Sequence, residues 1–185
     1  MPKKIRRGIS KAEWLEVGLH ALSDGSIADI TVEGLARSLG VAKAGFYWHF
    51  KDREDLLRQL LEHWIHESTE VVSENVEVLA LEPKRRLLRT VEMIREGELT
   101  RYEIPIRQWA LSDATAARAV RRVTRMRLDF VRDAFHELGF RGDELEMRAT
   151  LFAVYHTWEA ATLRHVPRKR LRDLVARRIE LLTSK

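Results

Sequence analysis

Apolar residues recur every three or four positions along most of the chain, the spacing that places them on one face of a helix, whereas the alternation of a strand is hard to find. Capping signals bound the first of these stripes. Ser10 and Glu13 have the spacing of a capping box, and Gly25 follows the last apolar position. The pattern predicts a helix over residues 11–23 and, for the whole chain, an all-α fold of about nine helices.

A second helix is predicted over the segment VEGLARSL, residues 32–39. Thr31 is a favourable N-cap residue in front of it, and Gly40 follows its last apolar position. Only two or three residues then separate this helix from the segment KAGFYWHF at positions 43–50. A turn of this length and glycine content is typical of a helix-turn-helix, whose second helix enters the major groove of DNA.

Aromatic side chains crowd the end of that segment. Phe46 and Phe50 are four residues apart and share one helical stripe, so we expect both in the core. Tyr47 and Trp48 then point away from the core, toward the side that carries Lys43. The spacing leaves two alternatives open: DNA covers the outward rings, or the rings pack under the C-terminal part of the chain, as aromatic residues on helices often do.

Residues 30–57, with the sequence ITVEGLARSLGVAKAGFYWHFKDREDLL, resemble the DNA-binding segment of the TetR family of bacterial transcriptional regulators. The shared features are the capped second helix, the L-G-V turn, and a Y-W-H-F-K run followed by a charged cap and leucines. The resemblance implies a three-helix DNA-binding domain over residues 1–55 and a helical ligand-binding and dimerisation domain over residues 56–185. It also implies a function, that of a ligand-responsive repressor that binds a pseudo-palindromic operator in double-stranded DNA as a homodimer.

The resemblance assigns roles to individual residues of the DNA interface. The positions that approach base edges, at the start of the recognition helix, are Lys43, Ala44 and Gly45. The positions that lie on or near phosphates are Thr31, Tyr47, Trp48, His49, Lys51 and Arg53. Lys43 is the best candidate for reading a base, because lysine and arginine pair most often with guanine O6 and N7.

Two residues depart from the family pattern. Ala42 stands where relatives often have Ser or Thr, so the recognition helix lacks the usual side-chain cap. Gly45 lies one position after the glycine that is common in the family, and glycine weakens a short helix. We therefore expect this helix to be less firmly formed than in relatives.

Charge and composition fit a polyanionic partner. The 185 residues carry a net charge of +5, and Lys3, Lys4, Arg6 and Arg7 precede the first helix as either a DNA-binding arm or a solvated tail.

Cysteine is absent, which excludes disulfides, thiolate metal sites and a cysteine nucleophile. No apolar run approaches about 18 residues, and none follows the basic N-terminus as in a signal peptide. We expect a cytoplasmic protein that does not contact the membrane.

Beyond residue 56 the capping signals predict a second set of helices. Asp143 and Glu146 have the spacing of a capping box in front of a long apolar segment. The shorter segment YEIPIRQWALSD carries Pro105, so we expect a short or kinked helix whose apolar lining is Ile104, Ile106 and Trp109.

Two sets of side chains in this region are functional candidates. An effector, apolar or aromatic if there is one, would contact aromatic and polarisable side chains that are otherwise ordinary core. This ligand set is Trp64, Met93, Tyr102, Trp109, Phe130, Phe135, Phe152, Tyr155, His156 and Trp158. The last two helices have broad apolar faces that either form the core of a monomer or pair with a second copy as a four-helix bundle. This dimer set is Leu151, Val154, Trp158, Leu171, Leu174, Val175 and Ile179.

Two other classes of function are alternatives to a DNA-binding regulator. A dimetal carboxylate bundle needs Glu-x-x-His motifs, and no glutamate here is followed by histidine three residues later. The pairs His63 with His66 and His156 with Glu159 leave a metal-binding helix-bundle enzyme as an alternative, although phosphate loops and nucleophile elbows are absent from the sequence. A helical adaptor that binds protein through its exposed rings is the other alternative. We expect no catalytic residue, no metal site and no cofactor.

Overall fold

The computed structural model describes residues 8–163 and 165–184. Every regular element in this part of the chain is helical and no strand occurs in it, so the predicted all-α class is confirmed. The predicted basic arm, Lys3, Lys4, Arg6 and Arg7, lies outside the described residues.

The chain forms nine helices over the described residues, with short turns between some of them. The helices are α1 (Lys11–Asp24), α2 (Val32–Leu39), α3 (Arg53–Ile65), α4 (Val76–Leu79), α5 (Pro83–Glu96), α6 (Glu103–Trp109), α7 (Ala114–Glu137), α8 (Gly142–Thr162) and α9 (Arg168–Thr183). Two 3₁₀ segments, Ile27–Asp29 and Lys43–Trp48, precede α2 and α3, and α3 continues through a π-helical turn, His66–Glu70, into the short turn Val71–Ser73.

These helices divide into two compact units. The first unit contains the residues up to Trp64 and Ile104–Val120, and the second contains Ile65–Glu103 and the residues from Arg121 onward. The division into functional domains at residue 55 stays a prediction.

Local capping signals set the ends of α1 and α2, as predicted. The Ser10 amide donates to Glu13 Oε2 at 2.8 Å and the Glu13 amide donates to Ser10 Oγ, which completes the capping box. Thr31 Oγ1 accepts from the Gly34 amide at 3.1 Å. Gly40 ends α2 with φ at +68°, a left-handed conformation that glycine adopts without strain.

The core of the first unit forms around an aromatic cluster. Phe46 is fully buried, with its ring edge-on to Trp14 at 5.7 Å between centroids and tilted against Phe50 at 5.0 Å. Close packing of α1 on α3 depends on Gly18, because a Cβ atom there would lie 2.7 Å from Leu60 Cδ1. The first helix and the aromatic segment are thus held by one shared core.

The second unit has its own apolar core. It draws on α5, α7, α8 and α9, and its fully or nearly fully buried members include Leu87, Val91, Val131, Phe135, Ala149 and Phe152. Phe135 contacts both Phe140 and Phe152 edge-on. Interdigitated rings of this kind keep α7 and α8 at a fixed spacing.

The predicted capping box at the start of α8 is wrong. The helix begins at Gly142 after Arg141, and no side chain caps it. Glu146 instead binds Arg132 of α7 with both carboxylate oxygens, at 3.0 and 2.8 Å. A bidentate, charge-assisted pair is stronger than a hydrogen bond to a backbone amide, so the partner from another helix takes the carboxylate.

The prediction for the short helix α6 is correct for two of its three residues. Ile106 and Trp109 are buried, whereas Ile104 is 40% exposed. Positions 104 and 106 are two residues apart on a helix and face nearly opposite directions, so both cannot enter the same core.

The aromatic cluster yields a stability prediction. Phe46→Ala should lower the free energy of unfolding by roughly 3–5 kcal/mol, because it removes a fully buried ring and leaves a cavity. Trp48→Ala, which truncates an exposed ring two residues away, should change it by less than about 0.5 kcal/mol. Urea denaturation followed by circular dichroism measures both, and equal effects of the two variants would contradict the described core.

Candidate nucleic-acid interface

The predicted recognition helix is a 3₁₀ helix, Lys43–Trp48, rather than an α-helix. Its N-cap residue Ala42 makes no side-chain hydrogen bond, as expected from its methyl group, and its first backbone bond joins the Gly45 amide to the Ala42 carbonyl at 3.0 Å. An uncapped start and an internal glycine both disfavour a longer α-helix. The segment is therefore short, and its orientation depends on the core beneath it.

The rings of this segment divide between core and solvent. Phe46 and Phe50 are buried, whereas Tyr47 is 56% exposed and Trp48 is 85% exposed. The alternative in which both outward rings pack under later helices is therefore wrong. Two adjacent exposed rings on the segment give the first unit a surface that can stack on or hydrogen-bond to a ligand.

Lys43 is exposed and forms an ion pair with Glu33 of α2. This hydrogen bond raises the pKa of Lys43 above its ordinary value and lowers the pKa of Glu33 below its own, so both groups are charged at neutral pH. Tyr47 contributes a smaller interaction that also raises the pKa of Lys43. No pattern in the sequence indicates Glu33 as a partner of Lys43, since ten residues separate the two and only the turn between α2 and the 3₁₀ segment brings them together.

Two side chains assigned to phosphates make hydrogen bonds inside the unit. His49 Nε2 lies 2.8 Å from the carbonyl oxygen of Ile9, so the ring donates a proton there. Arg53 donates to the carbonyl of Ile30 at 2.7 Å and to that of Ile27. These bonds tie α3 and the aromatic segment to the residues that precede α1 and α2.

The other assigned residues lie at the surface around the same segment. Thr31, Ala44 and Lys51 are exposed, and Gly45 is half-buried. Thr31 already uses its hydroxyl oxygen as the cap of α2, and its hydroxyl proton remains able to donate to a phosphate. Eight of the nine positions thus lie within residues 43–53, and Thr31 follows Ile30, whose carbonyl accepts from Arg53; their contacts with DNA stay a prediction.

The ligand set is only partly brought together. In the second unit, Phe130, Phe152 and His156 line one cavity of about 40 Å³. The remaining members do not line it: Trp64, Met93, Tyr102, Trp109, Phe135, Tyr155 and Trp158. Most of these are core side chains, which was the alternative interpretation.

A buried polar network beside this cavity was missed by the sequence analysis. Arg127 donates to the fully buried Glu103 at 2.9 Å, to Thr69 Oγ1 at 3.1 Å, and to Thr157 Oγ1 and the Ser68 carbonyl at 3.3 Å. Arg127 belongs to a helix rich in arginines that face solvent, so its sequence context gives no sign of burial. A lone Glu and Arg 24 positions apart give no periodic signal either.

The dimer set divides between exposed and buried residues. Leu151 and Val154 of α8 are about half exposed, at 53% and 52%. Leu171, Val175 and Ile179 are buried within a single chain, so they support α9 from inside instead of offering a surface. Trp158 and Leu174 are half-buried.

The described residues contain neither a metal-binding cluster nor a membrane-spanning helix. Within residues 8–163 and 165–184, no three or more His, Asp or Glu side chains group closely enough to hold a metal ion. Over the same residues, no helix is both long and apolar enough to cross a membrane.

The comparisons with known proteins agree with this geometry. The family model described as bacterial regulatory proteins, tetR family, matches residues 15–60, which contain α2 and the 3₁₀ segment. The uncharacterized HTH-type transcriptional regulator YwcC of Bacillus subtilis (strain 168) is 32% identical over 59 residues. That match covers 32% of this chain but only 26% of the length of YwcC.

Two solved structures share the fold over nearly the whole chain. A proposed TetR-family transcriptional regulator from Rhodococcus sp. has a TM-score of 0.70 at 18% identity, covering 94% of this chain and 98% of its own. The regulator FadR from Bacillus subtilis, solved in complex with stearoyl-CoA, has a TM-score of 0.67 at 15% identity, covering 95% and 98%. At these identities the likeness shows the fold alone. The match to the tetR family model is therefore confined to the DNA-binding segment, and the rest of the chain shares only the fold of these regulators.

Proposed function

We propose that the protein is a sequence-specific DNA-binding transcriptional regulator, a repressor that binds a pseudo-palindromic operator. The observation that carries this proposal is the exposure of Tyr47 and Trp48 on a segment anchored by two buried phenylalanines. Exposed rings beside a lysine fit a nucleic-acid surface, where a phenol or an indole N–H donates to phosphate oxygens. The family match over residues 15–60 supports the same function.

In the proposed interface, exposed residues contact DNA and partly buried residues hold the segment in position. Lys43, Ala44 and Gly45 would face base edges, with Lys43 exchanging the Glu33 carboxylate for a guanine. Tyr47 and Trp48, with Thr31 and Lys51, would bind phosphates. His49 and Arg53 belong to the interface chiefly by positioning it, because their hydrogen bonds to backbone carbonyls hold the segment in place.

We propose a homodimer as the active form. One small helix-turn-helix unit offers few base contacts, and two copies related by a two-fold axis would read half-sites about 34 to 36 Å apart or a multiple of that distance. Leu151 and Val154 present exposed apolar area on α8 for such a contact. A bacterial regulator of this kind acts on the chromosome, which supports a cytoplasmic location. Its proposed role is to bind DNA, and binding requires no catalytic residue.

A small effector in the second unit completes the proposal. The complex of FadR with stearoyl-CoA shows that a regulator with this fold holds a ligand with a long hydrocarbon chain. Here the cavity lined by Phe130, Phe152 and His156, together with a groove of about 390 Å³ that His156 also lines, supports an effector with apolar parts that alters operator binding.

Base reading by Lys43 is tested with duplexes enriched from random DNA by the purified protein. Lys43→Ala should weaken binding to the enriched sequence by about tenfold or more while weakening random duplex much less. Tyr47→Ala should weaken both about equally, since a phosphate contact carries no base information. Lys84→Ala is the matched control, because Lys84 is another exposed lysine paired with a glutamate, Glu180, in the second unit. Unchanged affinity and preference in both interface variants would refute the proposal.

The Glu33 pair gives a second prediction. Glu33→Gln should tighten binding to random duplex severalfold at low salt, because it removes a negative charge beside the phosphates and releases Lys43. Glu180→Gln makes the same change in net charge within the other exposed pair and should have little effect. Fluorescence anisotropy across a salt series measures both, and weaker binding by the Glu33 variant would be inconsistent with this arrangement.

The dimer surface is tested by charge insertion. Leu151→Arg should raise the dimer dissociation constant by about tenfold or more, because it places a charge in an apolar contact. Leu111→Arg alters a leucine of the first unit that is even more exposed, and it should leave self-association unchanged. Sedimentation equilibrium distinguishes them, and a Leu151 variant that dimerises as well as the unmodified chain would exclude this face.

A further inference from the structure

A cavity and a groove in the second unit share three lining residues, Ile94, Thr100 and His156. The cavity, about 40 Å³, has an apolar wall that includes Val72, Phe130 and Phe152. The groove, about 390 Å³, has Ile94, Leu163, Val166 and Leu171 among its lining residues. His156 lines both spaces. A groove of this volume lies within the usual range for small-molecule sites, whereas the cavity holds only one or two water-sized groups.

His156 is a buried polar group without a protein partner. Its side chain is 2% exposed, and neither ring nitrogen makes a hydrogen bond to any residue that the structure describes. Burial, with the nearby charges of Arg178 and Arg95, lowers the pKa of His156 to about 3, so the ring is neutral at physiological pH. A neutral imidazole has one N–H donor and one acceptor, and both are normally satisfied when buried.

The charges beside His156 do not balance. Glu159 is buried and receives a hydrogen bond from Arg178 at 3.0 Å and another from the Tyr155 hydroxyl at 3.3 Å, while Arg95 Nη1 lies 4.0 Å from it. One carboxylate therefore faces two guanidinium groups. Arg95 Nη1 and two Arg178 nitrogens, Nε and Nη1, are buried with no hydrogen-bond partner in the described part of the chain.

Among the described residues that line the rest of the groove, the only carboxylate is that of Glu98, and it is already paired. Arg168 pairs with Glu98 at its exposed rim, which cancels one charge of each sign. Arg101 also lines the groove and lies over the Tyr102 ring at 5.2 Å. The groove thus offers an anion with an apolar body both hydrogen-bond donors and aliphatic side chains.

We propose that this groove binds a small monocarboxylate with a hydrocarbon chain, its carboxylate accepting hydrogen bonds from Arg95 and from the His156 N–H. The hydrocarbon lies along Ile94, Leu163 and Leu171, and one or two of its groups enter the cavity beside Phe152. A neutral alcohol of the same length would satisfy His156 but would leave the second guanidinium without a counter-charge, so the acid is favoured. This inference rests on the proposed regulator function only for its consequence at DNA.

Binding is tested on the full chain without DNA. Isothermal titration calorimetry and thermal melting would compare octanoate with octan-1-ol and octylamine, and acids of about four to ten carbons would cover the size of the groove. Octanoate should bind and raise Tm, with the alcohol and the amine at least about tenfold weaker. Equal binding of octanoate and octan-1-ol, or no binding by any acid of the series, would overturn the proposal.

Variants separate a ligand role from a structural one. Arg95→Gln should lower octanoate affinity by about tenfold or more and leave octan-1-ol unaffected. Arg89→Gln is the control on the same helix, because Arg89 is exposed and pairs with Glu92 and Glu96. His156→Phe should lose octanoate binding without lowering the Tm of the ligand-free protein, since no protein hydrogen bond is lost. A lowered Tm with full octanoate affinity would mark His156 as purely structural and overturn its assignment.

The consequence at DNA is measured separately. Octanoate should change the affinity for the enriched duplex in the unmodified protein and not in Arg95→Gln. Binding of octanoate with no change at DNA would refute the regulatory coupling while leaving the site. Absence of any DNA binding would refute the proposed function, whereas the calorimetric result would still decide the ligand site.

Discussion

The burial of Phe46 between Trp14 and Phe50 is the constraint on which the DNA-binding surface depends. The segment that carries it has no side-chain cap and forms only a 3₁₀ helix, so its own hydrogen bonds hold it weakly. Its direction is set by the two buried rings. Because Phe46 and Phe50 point into the core, Tyr47 and Trp48 between them in the sequence point away from it and are exposed to solvent. Core packing and the exposed surface are therefore consequences of the same contact.

Some polar side chains around this segment anchor it to the rest of the unit, and others lie at the surface where DNA would bind. Arg53 and His49 bind backbone carbonyls of the residues before α2 and α1, which joins elements that are distant in sequence. Lys43 is held by an exposed ion pair, which costs little to exchange for another acceptor in water. The surface that would meet DNA is thus preorganised in its backbone and adjustable at its one base-reading side chain.

Two clusters of buried polar side chains in the second unit, one around Arg127 and one around His156, differ in how many of their hydrogen-bonding atoms have partners. Arg127 makes hydrogen bonds to a carboxylate, two hydroxyls and a carbonyl, and such a network stabilises a single arrangement. The cluster around His156 has two guanidinium groups for one carboxylate and several donors without a protein partner among the described residues. A buried group without a partner is costly, and such groups are commonly retained where a ligand or water supplies the missing bond. This contrast marks the His156 side of the cavity as the place for a ligand.

The amino-acid sequence by itself determined the helical class, the ends of α1 and α2, and the division of the aromatic run into core and surface. Each of these follows from residues within about four positions of one another, as in Ser10 with Glu13 or Phe46 with Phe50. Only the tertiary structure decided that Glu146 binds Arg132 instead of capping α8, that Glu33 pairs with Lys43, and that His156 is buried near the charges of Arg95 and Arg178. Those partners come from separate helices or from across a turn, and side chains that compete for a charge are chosen by distance in space, which the spacing of residues along the chain does not encode.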